Sequence, residues 1–195
     1  MKDRRRYQFM VLASLVALLL GMAMHGRATG KDKEKEEETV QFNLEPASAT
    51  IAKCLPHATA EVTVDLETAK RGVDTLRLKA SGLPPHRDFA VFLTEASAFD
   101  SPPFGAVQYI GDFTTNSAGR GSVKVEAIIQ EAFSSTLVGT TRVRKDLNNV
   151  VFWFADPADD DICFGPGQGP ITPFDGDGEA GAAAMSSRGA PLPPP

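Results

Sequence analysis

Acidic side chains are the first residues here whose spacing could do chemistry. The stretch "ITPFDGDGEAG", Ile171 to Gly181, sets Asp175, Asp177 and Glu179 at alternate positions, and "DPADDD" upstream supplies Asp156, Asp159, Asp160 and Asp161. Hard cations accept carboxylate and carbonyl oxygens without a fixed sequence spacing, so these residues form a candidate calcium site. An EF-hand loop starting at Asp175 fails, because the turn glycine at its sixth position is Ala180 and the bidentate glutamate at its twelfth is Ser186. Calcium binding would instead need the fold to bring the two clusters together. The competing reading is turn chemistry, since Asp opens turns and "DGDG" makes them without an ion.

Other reactive groups are sparse. Beyond residue 30 the chain has two histidines, His57 and His86, and two cysteines, Cys54 and Cys163, with no cluster among them. Copper or zinc centres need more ligands than this, and there is no Gly-x-Ser-x-Gly elbow for a serine nucleophile. Catalysis is therefore not expected. The alternative is a carboxylate-based extracellular hydrolase, which needs only two acidic residues at a set separation. Sugar-cleaving clefts usually add aromatic platforms, and this chain has one Trp and two Tyr. The candidate ligand-binding residues are Phe99, Phe104 and Tyr109, in or near the Pro- and Gly-containing loop "EASAFDSPPFGAVQY". In the competing reading Phe99 and Phe104 fold back to cap the core edge.

Strands must position these residues. Apolar and polar residues alternate at 39–44, 60–66 and 74–80, and further strand segments follow at 88–95, 106–114, 121–129 and 149–155, each bounded by clusters of Gly, Pro, Asn or Asp. Seven to eight such strands predict an all-β, two-sheet antiparallel β-sandwich, Ig-like or fibronectin-like. "TTNSAGRGS", Thr114 to Ser122, predicts a hairpin turn with positive φ at Asn116 and Gly119. Gln130 to Asn149 fits a short helix, an edge strand or a loop, and its Arg142, Arg144 and Lys145 form a basic patch in an acidic chain.

Two resemblances bear on the fold. In "SGLPPHRDF", the spacing of Leu83, Pro85 and Phe89 resembles the corner of fibronectin type III domains, with Phe in place of the corner's Tyr. More broadly, "AKCLPHATAEVTV", "SGLPPHRDFAVFL", "PPFGAVQYIGDF", "FWFADP" and "CFGPGQGPITPFDGDGEAG" resemble a group of bacterial secreted proteins of unassigned function. That resemblance implies export and no particular activity.

The chain ends agree with export. Residues 1–30 join a basic head to an apolar run, Tyr7 to Met24, and read as a signal peptide or, alternatively, an uncleaved anchor. Residues 31–38, "KDKEKEEE", read as a charged linker, 39–188 as the domain and 189–195 as a Pro-rich disordered tail. In an oxidising compartment Cys54 and Cys163 are expected to pair, restricting the unfolded chain by about 4–5 kcal/mol in the entropic model.

Without residues 1–30 the chain has 15 basic and 24 acidic groups, a net charge of −9. That field does not attract nucleic acid, and membrane contact is expected only through an uncleaved anchor. These readings predict a secreted or cell-surface binding or scaffold module without cofactor, calcium aside, whose partner is an extracellular protein or polysaccharide. A membrane-anchored surface protein with a calcium-stabilised loop is a further alternative.

Overall fold

The computed structural model describes residues 38–173 and 178–192. Each of the first six segments forms a strand: β1 (Glu38–Pro46), β2 (Thr59–Leu66), β3 (Asp74–Ser81), β4 (Asp88–Thr94), β5 (Val107–Thr114) and β6 (Gly121–Ala127). The ambiguous stretch after them is a hairpin, β7 (Phe133–Val138) and β8 (Thr141–Asp146), and it leads into β9 (Asn149–Phe154). A two-residue pair, β10 (Thr172–Pro173) with β11 (Glu179–Ala180), precedes a strand that alternation did not reveal, β12 (Ala183–Ser186).

The all-β class is as predicted, but the strands do not divide into two separate sheets. Eight of them form one antiparallel sheet in the order β5-β4-β9-β12-β1-β2-β3-β6. The link is β1, which pairs with β2 from Glu38 to Leu44 and then passes its last residues, Glu45 and Pro46, to Ser186 and Met185 of β12. At the other end β5 lies against β6 without a ladder, close enough that a Cβ on Gly111 would sit 3.2 Å from Val125. The sheet therefore nearly closes like a barrel.

The predicted hairpin between β5 and β6 is not formed, because β5 pairs with β4 and β6 with β3. Tertiary hydrogen bonds hold the connection elsewhere: Leu83 N donates to Gly119 O at 3.2 Å, and buried Thr115 donates to Pro84 O at 2.6 Å. Gly119 has the expected positive φ of 66°, and a side chain there would strike Leu83 O, whereas Asn116 does not have the positive φ predicted for it.

Inward-facing residues of both halves make one core. Leu44, Val62, Val64, Leu76 and Leu78 meet Val91, Leu93, Val150 and a cluster of Phe89, Phe113, Phe152 and Phe154. Phe89 is central to it, with ring centroids at 5.0–5.4 Å from the other three. Leu192 is also in this core, so the tail predicted from residue 189 is packed at least to that point. Its apolar side chain is buried despite the prolines around it, and its amide donates to Asn148 O at 3.3 Å.

Two tethers hold the connections. Short helices α1 (Ala49–Cys54) and α2 (Thr68–Arg71) follow β1 and β2, and a 3₁₀ turn, Pro157–Asp160, leads into α3 (Asp161–Phe164). The predicted disulfide joins Cys54 of α1 to Cys163 of α3, with Cα atoms 5.3 Å apart. The second tether is Asp74, fully buried, whose carboxylate accepts Glu67 N and Thr68 N on one oxygen and Ile129 N and Gln130 N on the other, all at 2.8–3.0 Å. Burial pushes this carboxyl up, but its hydrogen bonds with Gln130, Thr68, Ile129 and Glu67 together hold it below the ordinary range.

Two outcomes follow. Cys54→Ser with Cys163→Ser is expected to lower the unfolding free energy by about 2–5 kcal/mol in chemical denaturation. Because the Asp74 value is lowered on folding, its contribution is present above the unfolded carboxyl value, about 3.9, and is lost as pH falls through the lower folded value. Asp74→Asn, which turns an amide donor toward amide donors, should cost about 2–3 kcal/mol near neutral pH. Denaturation midpoints measured down to about pH 2 should show that difference shrinking.

Candidate functional site

Strands β4 and β9 are buried on both faces, which puts a second apolar layer on the outside of the sheet. Alternation sends Phe89 and Val91 inward and Ala90 and Phe92 outward, and on β9 it sends Val151 and Trp153 outward. Phe92, Val151, Trp153 and Ala180 form this outer cluster, with Phe104, Val107 and Ala183 packed on it. Trp153 lies 5.1 Å from the Phe92 ring and 4.8 Å from the Phe104 ring.

The cluster floors an open groove of about 700 Å³. Ala90 and Phe92 of β4 and Val107 and Tyr109 of β5 make the base, Ser134 and Thr136 of β7 one wall, and Pro173, Gly178, Glu179 and Ala180 the other. Tyr109 packs edge-on against Phe92 at 5.6 Å and remains 53% exposed. Its hydroxyl donates to Asp112, and that bond, with lesser help from burial and the Asp112 charge, pushes the phenol up to about 12. Tyr109 therefore presents a neutral ring. Glu95 braces the rim: it pairs with Lys145 of β8 at 2.6 Å and accepts Ala106 N at 3.1 Å. The Lys145 hydrogen bond and then the Ala106 amide hold its carboxyl below the usual range against burial.

The three candidate recognition residues separate. Tyr109 lines the groove, while Phe104 is half-buried behind it against Trp153. Phe99 lies elsewhere, under the guanidinium of Arg188 at 4.2 Å, and Arg188 also pairs with Glu45. Sequence reading missed Ala90, Phe92, Ser134 and Thr136. The signal for the first two was present in the alternation of "DFAVFLT", whose second face is also apolar.

The acidic candidates have separate partners. Asp156 accepts Ala158 N at 2.8 Å as the cap of the 3₁₀ turn, Asp159 pairs with Arg87 at 2.9 Å, and Asp161 accepts Gly167 N at 2.8 Å. Asp160 is fully buried and accepts Ala182 N at 2.6 Å. Glu179 is exposed on the groove wall, whereas Asp175 and Asp177 lie outside the described residues. Among the described residues no three His, Cys, Asp or Glu side chains converge to hold a metal ion. His57 and His86 are exposed loop residues.

Asp160 sits in a niche walled by glycines. A Cβ on Gly169 would lie 1.9 Å from its Oδ1 and one on Gly181 2.7 Å from its Oδ2. Burial raises its carboxyl above the ordinary value, Ala182 N opposes this, and Asp161 and Asp159 add to it. Gly169→Ala is expected to destabilise by about 1–3 kcal/mol through overpacking. A raised folded value means the favourable contribution is present below the unfolded carboxyl value and is lost as pH rises through the folded one. Asp160→Asn keeps an oxygen for Ala182 N without the buried charge, so its melting temperature should exceed the wild type's at neutral pH and lose that advantage in acid.

Compared with known proteins, the chain matches no family model, no curated protein and no solved structure.

Proposed function

We propose that this protein is an exported binding or scaffold module without catalytic function, and that its ligand lies in the groove over Tyr109. The observation that carries the reading is the groove's construction. A half-exposed aromatic ring rests on a buried aromatic layer, between the hydroxyl-bearing β7 wall and a wall with a single described carboxylate, Glu179. Such a concave surface, lined about equally by polar and apolar atoms, suits binding of an extended chain, protein or polysaccharide.

Export is supported by the intramolecular disulfide, which persists in oxidising compartments. No helix of the described residues is long and apolar enough to cross a membrane. Residues 1–30, read as a signal peptide or anchor, lie outside the described residues.

Trp153 is the chain's one tryptophan and lies directly beneath the groove floor, so its fluorescence reports occupancy. Titration with extended peptides and soluble polysaccharides is expected to find a ligand class that shifts this emission. Tyr109→Ala should weaken the interaction about tenfold or more, roughly 1.4 kcal/mol. A ligand that binds Tyr109→Ala as tightly as the wild type would place recognition elsewhere.

A further inference from the structure

The hairpin that walls the groove is itself uncovered. β7 and β8 pair only with each other, so both outer edges of this arm carry unladdered backbone groups. Its base is fixed by Ala132 and Leu147 in the core and by the Lys145–Glu95 pair. The register puts Phe133, Leu137, Arg142 and Arg144 on one face and Val138 and Val143 on the other. At the tip, Leu137 is 61% and Val138 58% exposed, on opposite faces. Lying flat on a surface would cover only one of them. Insertion between two walls covers both.

Charge selects the host. Residues 133–146 carry Arg142, Arg144 and Lys145 against Asp146, a net +2, while residues 38–195 as a whole carry 12 basic and 20 acidic groups. Two arms meeting would bring like charges together, whereas an arm against the body of another molecule is complementary. The arm cannot fill its own groove, because Ser134 and Thr136 of that same arm form the wall.

Resting on the reading that the groove is a binding site, we propose that its occupant is the arm of a second copy of this chain. Leu137 and Arg142, on one face of the arm, meet the wall that carries Glu179, and Val138, on the other face, meets the β7 wall, with the tip of the arm over Phe92 and Tyr109. Repeated in one direction this contact builds an open chain of molecules, and exchanged reciprocally it closes a pair.

Complementation tests it, using sedimentation velocity on the full chain at rising concentration. Wild type should associate, and added salt should weaken the association. Leu137→Asp in the arm and Tyr109→Ala in the groove should each associate at least tenfold more weakly alone. Mixed, they should form one-to-one pairs through the intact arm of one and the intact groove of the other. Arg142→Glu, an exposed replacement, provides a second arm variant, and circular dichroism confirms folding of all three. Wild type that stays monomeric near millimolar concentration would overturn the inference. So would association that Leu137→Asp loses and Tyr109→Ala keeps, because the arm would then bind another surface. Neither result touches the groove reading, which the Trp153 titration decides separately.

Discussion

The sheet depends on backbone pairing at β12. This strand of four residues must bond on both edges, to β9 on one side and to the end of β1 on the other, or the two halves share no ladder. Pairing with β1 extends through Ala47 N to Ala184 O at 3.0 Å. Each end of β12 is pinned by a buried polar side chain. At its start Asp160 accepts Ala182 N, and just past its end Ser187 accepts Val150 N and donates to Asn149. Buried amides left without partners would each cost on the order of 1–3 kcal/mol, so these side chains settle where the strand stops and starts.

The groove follows from the same seam. Placing β12 beside β9 brings Ala180 and Ala183 against Trp153, which closes the back of the outer cluster and leaves Tyr109 at its open side. Small side chains are needed there because β12 lies between the core and the outer layer. At the opposite end of β9 a polar network joins the parts that frame the groove. Asn149 donates to Glu95 O, Glu95 holds Lys145 of the arm, and Ser186 accepts Ala98 N from the loop that carries Phe104. The loop, arm and seam are thus positioned by one connected set of hydrogen bonds.

Much of this was legible in the residues. Seven strands were visible, most because one face is buried and the other wet and β4 and β9 as short apolar runs between turn residues, and the disulfide was expected from two cysteines in a chain read as exported. "AGAAAMSS" was not legible as a strand, because a segment buried between two layers has no polar face and alternation disappears. The arm was ambiguous for the opposite reason: it is exposed on both faces, so its apolar residues follow no burial pattern. In the sequence Asp74 draws no notice within its strand, and Asp160 reads as a calcium ligand or a turn residue. Their roles come from amides 55 and 22 residues away, which no local pattern encodes.

Hydrogen exchange of the oxidised full chain, resolved by peptide, tests the seam most directly. If β12 is a central strand, amides of residues 183–187 exchange as slowly as those of β9, while the arm between residues 135 and 142 exchanges faster. Exchange of residues 183–187 at the rate of an unstructured tail would contradict the seam. It would also remove the support behind Trp153 on which the groove is built.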